Sequence, residues 1–483
     1  MTIDSLMPRA NAFAVAAALA TLVVLTGCAN SSGITSQSKL LDAQQVGLAP
    51  SPASQNIPLD AQWWRAFGDD TLNQLEAQAM QTSPSLKLAQ ARLASAQSVA
   101  QLIHAADGPQ LAAQGDITHQ HYTANGLYPP PLAGNVYDSA NLMVGASWEL
   151  DFFGKNQSAL QAALGAERAA QADAQAARVL LTVKVAQTYF AWLGQNEQRS
   201  VAQQVLQQHE QILALVKARH DAGVDTPLEL RRAQGSLPEA RLQLTKIDEQ
   251  MALTRHALAA LVGDQNKPIA IEYKALSAIK NVALSSAIGT NLLAQRADVA
   301  AALWRVQAAD SGVDSARKQF YPNINLTAFA GFSSIGLDQL LKSGSQQWGV
   351  GPALSLPLFD SGRLRANLSG KTAERDAAVE SYNSVVINAV HDALDQLTSA
   401  QAIALQQSQQ AQAAQAAEDA WAVVQERQHV GLTNALQVLN AQSAVLEQRR
   451  LGADLATRAL QNQVALAHAL GGGFTPNEPL AHP

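Results

Sequence analysis

Two stretches of similar length, residues 155–220 and 362–429, contain no proline and carry apolar residues at helical spacing. At about 1.5 Å per residue, each would form a helix of about 100 Å, far longer than the helices of globular proteins. In the first stretch the apolar positions follow steps of three, four and seven, at Val179, Val183, Ala186, Phe190, Leu193, Leu206, Leu213 and Val216. Such a helix needs partners along its whole length, so the pattern predicts coiled-coil packing, with the many alanines permitting close approach.

Each long stretch ends at a glycine that can take a left-handed cap conformation, Gly223 or Gly431, and a second helical pattern follows. Thr226 and Glu229 form a capping-box pattern around Pro227 in the first turn of the new helix. We therefore predict two sharp helical hairpins, with return helices over 226–262 and 433–470. A kink is expected where Gly235 and Pro238 interrupt the first of them.

Alternating apolar and polar residues replace the helical period ahead of each long stretch. Period two predicts strands over 109–119 and 141–153, and again over 322–332 and 348–359. Each strand has one apolar face and one polar or small face. The joining segment of the first pair contains three consecutive prolines, which indicates a long loop.

These elements occur twice, because helix, strand pair, long helix, hairpin and return helix recur in the same order. Gly154 and Gly362 are 208 residues apart, and so are Gly223 and Gly431. The predicted organisation, with the four strands above and helices over 155–221, 226–262, 362–429 and 433–470, is a signal peptide (1–27), an N-terminal tether (28–60), a first repeat (61–280), a second repeat (281–471) and a C-terminal tail (472–483).

Four strands cannot close a barrel, since the smallest membrane barrels need eight. Several chains must therefore share one barrel. Strands with an apolar outer face, on which Trp148 and Trp348 lie toward the interface, and a polar inner face predict a water-filled lumen in lipid. The predicted fold class is mixed: a transmembrane β-barrel continued by a long α-helical coiled-coil tunnel, internally duplicated. No apolar run near 20 residues follows Cys28, which argues against an ordinary transmembrane helix.

The amino terminus has the pattern of a secretory signal, with Arg9 ahead of an apolar run over 12–25. The run ends in Leu25-Thr26-Gly27-Cys28, which resembles the site where bacterial lipoproteins are cut and acylated on cysteine. Cys28 is the only cysteine of the chain, so a buried thiol is a weaker reading. A lipid anchors a protein at a membrane surface and leaves open whether the protein also spans it.

Enzymatic chemistry finds little support in the sequence. The ten histidines are scattered, and no His-Glu-x-x-His motif, nucleophile elbow or phosphate-binding glycine loop occurs. The net charge of −6 gives no reason to expect a nucleic-acid partner. We expect no enzyme, no metal site and no cofactor other than a covalent lipid on Cys28, S-diacylglycerol with an N-palmitoyl group.

A series of short motifs runs through residues 61–471. The motifs are Trp63-Trp64, Phe67-Gly68-Asp69, Leu72, Ser147 through Lys155, Arg296-Ala297-Asp298-Val299, Phe320-Tyr321-Pro322, Pro357-Leu358-Phe359, Gly362-Arg363-Leu364, Gly431, and Leu439-Asn440-Ala441-Gln442. No single motif is decisive, but their order and spacing together are specific. In these motifs the chain resembles the TolC-like outer-membrane channels of tripartite efflux systems, in particular the NodT-type lipoproteins.

This resemblance implies a homotrimer with twelve strands and twelve tunnel helices, placed in the outer membrane. It also implies a periplasmic adaptor protein and an inner-membrane pump of the resistance-nodulation-division type as partners. The expected function is an exit channel for drugs or other small molecules, with the choice of cargo left to the pump. The alternative is a membrane-anchored coiled-coil scaffold without a pore, which would leave the four strands unexplained.

The family closes its periplasmic end with a leucine and acidic residues after the second hairpin glycine. The matching positions here are Leu436, Gln437 and Asn440. Amides are neutral, so we expect a hydrogen-bonded gate that is less sensitive to pH and cations than a carboxylate ring. These positions also fit an ordinary polar helix face.

The resemblance further implies that the hairpin tips contact the adaptor, through Gly223, Val224, Gly431 and Leu432. A plain helix cap explains the two glycines equally well. The sequence leaves these two readings open.

Overall fold

A computed structural model describes residues 30–41, 59–263, 271–282 and 295–474. The chain divides into two compact units, each of which draws on both sequence halves. The first contains residues 1–40, 94–169 and 302–382, and the second contains 41–93, 170–301 and 383–483. Cys28 lies outside the described residues.

The first unit contains one four-stranded antiparallel sheet in the order β1-β2-β3-β4. Its strands are β1 (Gln110–His121), β2 (Val136–Leu150), β3 (Asn323–Ile335) and β4 (Gln346–Ser355). The expected strands are all present, with ends shifted by one to five residues. The largest shift is at the start of β2, where pairing with β1 continues to Val136 opposite His121.

The long helices are α3 (Lys155–Asp221) and α6 (Arg363–His429), each of 67 residues, and the return helices are α4 (Pro227–Leu261) and α7 (Ala435–Ala469). The observed ends lie within two residues of the predicted ends. The α4 helix is continuous through Gly235 and Pro238. A further helix, α5, spans Ala297–Lys318.

Apolar residues recur at helical spacing from Leu72 to Ala106, which predicts one helix, and this prediction is wrong. The segment forms α1 (Asp70–Thr82) and α2 (Pro84–Ala106), separated at Ser83. Ser83 has ψ of 123°, because the ring of Pro84 excludes the helical region for the residue before it. The proline occupies the first position of α2, where its missing N–H costs nothing.

The core of the second unit forms where α1 and the preceding turn pack on the middle of α3. Trp64, Phe67, Leu72, Tyr189 and Phe190 are almost completely buried there, and Phe67 contacts Phe190 edge-on with ring centroids 5.0 Å apart. Asp69 caps α1 by accepting from the Leu72 N–H and also accepts from the Tyr189 hydroxyl at 3.1 Å. Burial in this core raises the pKa of Glu76 to about 9, so this carboxyl is protonated at neutral pH.

Small residues allow close helix approach within each unit. A Cβ added to Gly165 would lie 2.9 Å from the Cβ of Ala308 on α5, and one added to Gly194 would lie 2.1 Å from Oγ1 of Thr457 on α7. Neither site has room for a side chain, so packing requires glycine at both.

Residues 30–41 contact α6, although the sequence predicts a simple tether over 28–60. The carboxylate of Asp376 on α6 accepts from the Ser36 hydroxyl and from the N–H groups of Gln37 and Ser38, at 3.2 and 3.3 Å for the two N–H groups. Ile34 packs on the cluster formed by Val313, Ala316 and Leu368. This serine-rich segment is therefore bound to the folded chain, because its backbone N–H groups donate to the Asp376 carboxylate.

Candidate functional site

The register of the sheet places the apolar residues of all four strands on one face. One row across the sheet contains Leu111, Ala146, Ala328 and Val350, because directly paired residues share a face. Leu111 is 75% and Val350 69% exposed in the single chain. A broad exposed apolar face is the expected surface toward lipid.

The opposite face carries mainly polar and small side chains. Asn141 donates to the Asp116 carboxylate at 3.0 Å, and the Ser333 hydroxyl donates to the Asn141 carbonyl at 2.6 Å. These three residues pair directly across β1, β2 and β3. The two faces therefore differ as the lipid-facing and water-facing sides of a channel wall differ.

Trp148 and Trp348 both lie on the apolar face, but in different rows of paired residues. Trp348 pairs through Ala330 with Val144, which is four residues from Trp148 along β2 and hence about 13 Å away. The Trp148 indole N–H donates to the Asp107 carbonyl at 3.0 Å. The two indoles therefore do not lie in one row of paired residues.

The strands β1 and β4 are the edges of this sheet. Each has an outer row of backbone N–H and C=O groups without a partner strand in the described part of the chain. Such groups cannot remain unpaired in a bilayer. The sheet is therefore complete only when other strands pair with both edges.

The two hairpin tips have the same backbone geometry. Gly223 and Gly431 have φ of 73° and 77°, and a Cβ at either would meet no atom within 4 Å. The next residues, Val224 and Leu432, are 63% and 69% exposed. Val224 and Leu432 are thus exposed apolar side chains at equivalent positions of the two tips.

An ion pair closes the first tip. The Arg219 guanidinium donates to both carboxylate oxygens of Asp225 at 2.9 Å. This hydrogen bond lowers the pKa of Asp225 and raises that of Arg219. The predicted capping box is confirmed: the Thr226 N–H donates to Glu229, and the Glu229 N–H donates to the Thr226 hydroxyl.

The residues predicted for the gate lie on the first two turns of α7. Gln437 and Asn440 are exposed and Leu436 is half-buried in the single chain. Asn434 caps the helix by accepting from the Gln437 N–H at 3.1 Å. Both amide side chains therefore lie on an accessible part of the helix.

Side-chain amides hold α7 to the long helices. Gln208 on α3 donates to the Leu439 carbonyl at 2.5 Å and accepts from the Ser443 hydroxyl at 3.3 Å. On the other side, Gln410 of α6 donates to the Gln448 carbonyl at 2.9 Å. The sequence did not single out these contacts, because helical spacing does not show which glutamine reaches a neighbouring backbone.

Arg296 organises a charged cluster in the second unit. Its guanidinium donates to Asp298 at 2.8 Å, to Asp392 at 3.1 Å and to the Ala469 carbonyl at 3.3 Å. Burial alone would raise the pKa of Asp298, but the Arg296 hydrogen bond and charge lower it. This cluster ties α6 and the end of α7 to the start of α5, which gives the Arg296-Ala297-Asp298-Val299 motif a structural role.

Among residues 30–41, 59–263, 271–282 and 295–474, no helix is both long and apolar enough to cross a membrane. The same residues contain no group of three or more His, Cys, Asp or Glu side chains that could hold a metal ion.

Residues 75–264 and 288–472 match the family model described as outer membrane efflux protein. The chain belongs to this family. It is 32% identical over 477 residues to the multidrug resistance outer membrane protein MdtQ of Escherichia coli O6:H1, covering 97% of this chain and 100% of that protein. It is 33% identical to MdtP of Escherichia coli K12 over 479 residues, covering 94% and 95%.

The structure of the outer membrane protein VceC from Vibrio cholerae has the same fold, with a TM-score of 0.79 and 33% identity over 87% of this chain and 100% of that one. The mixed fold class, four barrel strands per chain with a helical tunnel, is therefore confirmed. The chain is an outer-membrane efflux channel, and channels of this family are homotrimeric components of tripartite pumps. The pore-free scaffold is ruled out by this membership.

Proposed function

We propose that the chain serves as the exit duct for small molecules delivered by an inner-membrane pump of the resistance-nodulation-division type through a periplasmic adaptor. The pair of matching tips is the observation that carries this proposal. Val224 and Leu432 are exposed apolar residues on two hairpins of equal geometry. An apolar side chain held out by a rigid turn suits insertion into a groove of a partner. Gly223 and Gly431 supply the turns, and no enzymatic activity is required.

The gate in this proposal consists of Leu436, Gln437 and Asn440 around the threefold axis. Amides can hydrogen-bond across the axis without mutual repulsion, so closure does not depend on protonation or on a bound cation. The exposure of Gln437 and Asn440 in the single chain supports this role.

The proposal also includes acylation of Cys28 with S-diacylglycerol and an N-palmitoyl group. Two acyl signals suffice for stable anchoring, whereas a single chain gives only marginal binding. The hydrogen bonds of residues 30–41 to Asp376 would then keep the lipidated end close to α6. Mass spectrometry of the mature N-terminal peptide tests this part, because an unmodified Cys28 would contradict it.

Channel activity is tested by single-channel conductance of the purified full chain in a planar bilayer, together with the mass of the detergent-extracted oligomer. A conducting trimer is expected, and a non-conducting monomer would refute it.

Adaptor contact is tested separately with Val224→Cys and Leu432→Cys, each carrying a photoactivatable crosslinker. Because Cys28 is the only native cysteine, no other thiol of the mature chain competes once it is acylated. Crosslinking to the adaptor at both tips is expected. Lys342→Cys, on the loop between β3 and β4, is the exposed control that should remain uncrosslinked.

A further inference from the structure

One large aromatic side chain without a polar group lies on the polar face of the sheet. Phe329 lies on β3 with its ring on the side of Asp116 and Asn141, as the parity of the register requires. The row that contains it holds only Ala112, Gly145 and Gly349 besides. Phe329 is 43% exposed, so its ring stands among small residues on the face that lines the lumen.

The glycines on either side of Phe329 differ in what surrounds them. A Cβ added to Gly349 would lie 2.8 Å from Cε1 of Phe329, so the ring rests over the backbone of β4. A Cβ added to Gly145 on β2 would meet nothing within 4 Å. An open shelf therefore lies beside the ring, and a flat molecule can rest on the Gly145 backbone against the aromatic edge or face.

The charges on the polar face of the sheet favour a cationic ligand. The four strands contain no lysine or arginine. On the polar face, Glu149 pairs with Lys155, whereas Asp116 accepts from Asn141 and has no cation within ion-pair distance in the described residues. Asp116 is four residues along β1 from Ala112, hence about 13 Å from the Phe329 row. At physiological salt the field of one Asp116 carboxylate is weak at that distance. The Asp116 carboxylates of all three chains face the same lumen, so their fields add.

We propose that Phe329 of the three chains forms an aromatic contact site in the barrel lumen for flat organic cations. A planar cation would stack on or beside the Phe329 ring, over the Gly145 backbone, and the ring face would supply most of the attraction. Rings bind cations through their negative faces, and aromatic pairs prefer offset or edge-on contact. The proposal requires the lumen face of the channel and is independent of the gate, the adaptor and the lipid.

The test uses the purified full-length trimer in a planar bilayer, with ethidium as the flat aromatic cation and tetraethylammonium as the non-aromatic one. Both compounds are added to the compartment that the barrel end of the channel faces, so neither has to pass through the periplasmic end. Phe329→Leu removes the ring and keeps an apolar side chain. Phe332→Leu makes the same change three residues away on the lipid-facing side and is the matched control.

We expect ethidium to reduce the single-channel current, and Phe329→Leu to raise the half-blocking ethidium concentration about three- to thirtyfold. Phe329→Tyr keeps the ring, so its half-blocking ethidium concentration should equal that of the native chain. Phe332→Leu should also leave ethidium block unchanged, and tetraethylammonium should act equally on all variants.

Equal ethidium block by Phe329→Leu and the native trimer would overturn the proposal. So would a loss of block in Phe332→Leu that matches the loss in Phe329→Leu. Ethidium fluorescence on binding to the detergent-solubilised trimer is the second measurement, because it needs no conduction. A trimer that binds ethidium but does not conduct would count against the channel and not against the site, and a conducting trimer that binds none would count against the site.

Discussion

The two helical hairpins share one backbone conformation at the turn but differ in the side chains around it. At an offset of 208 residues, Gly223 corresponds to Gly431, and Thr226 corresponds to Asn434 as the cap of the return helix. The Val224 N–H donates to the Arg219 carbonyl at 2.8 Å, and the Leu432 N–H donates to the Arg427 carbonyl at 2.7 Å. Duplication therefore preserved the turn itself.

The side chains around the turn differ at three places, and at two of them the first hairpin has a restraining contact. Asp225, which clasps Arg219, corresponds to Thr433, and Glu229, which closes the capping box, corresponds to Gln437. Arg232 corresponds to Asn440. The first hairpin is held by an ion pair and a reciprocal cap, whereas the second has a single cap. The comparison teaches that the hairpin attached to the proposed gate helix is the less restrained of the two.

The largest effect is expected from removing what the hairpins share. Gly223→Val or Gly431→Val forces a β-branched residue into the left-handed region, which costs about 1–2 kcal/mol or more. Both tips should then show faster hydrogen–deuterium exchange by a similar factor, since neither glycine has a steric neighbour. Asparagine tolerates this conformation, so Gly431→Asn is the control. A trimer that stays folded with Gly431→Val but loses adaptor crosslinking would assign the tip to contact as well as capping.

The next effect concerns charge on α7. Gln437→Glu with Asn440→Asp adds six carboxylates to the proposed gate of the trimer. We expect the concentration of a trivalent cation that halves the current to fall about tenfold relative to the native chain. Glu229→Gln is the reverse exchange at the equivalent position of the first hairpin and should leave block unaltered, because Glu229 is not one of the proposed gate residues. Native block as strong as that of the acidic variant would contradict a neutral gate.

A smaller effect on hydrogen exchange is expected from exchanging the clasp, the Arg219–Asp225 ion pair, between the two hairpins. Asp225→Thr gives the first tip the side chain of the second, and its amides should exchange faster. The reciprocal Thr433→Asp offers Arg427 a carboxylate at the equivalent position and should slow exchange at the second tip. If both substitutions leave exchange unchanged, the clasp does not account for the difference in stiffness.

Acid should produce the smallest effect and should act on one hairpin alone. Arg219 lowers the pKa of Asp225 in the folded chain, so the pair contributes fully above the ordinary aspartate pKa of about 3.9. The contribution is lost as the pH falls through the lowered value. Hydrogen exchange corrected for its intrinsic pH dependence should therefore show loosening of the first tip in acid, with no change at the second, where Thr433 does not titrate. Equal loosening of both tips would show that another group is responsible.

Long, strongly periodic elements were predictable from the sequence because burial repeats along their whole length. The ends of α3, α4, α6 and α7 lie within two residues of expectation. The break at Ser83 was missed because helical periodicity continues across it, while the constraint is local to the Pro84 ring.

Contacts made across a turn or between helices could not be read from the pattern. The Arg219–Asp225 pair joins residues six apart in sequence, a spacing that no helix brings together. Phe329 was not predicted for another reason: alternation identifies the apolar face of β3 and assigns no role to a single aromatic residue on the other face. Only the register, with Gly145 and Gly349 on its two sides, gives it meaning.

The open edges β1 and β4 have a consequence for biogenesis. A lone protomer that entered the bilayer would carry two rows of unpaired backbone groups into hydrocarbon, at several kcal/mol for each group. Insertion and oligomerisation are therefore one event, whose rate depends steeply on the local concentration of subunits. A defective subunit that still pairs at its edges would spoil every trimer that it joins.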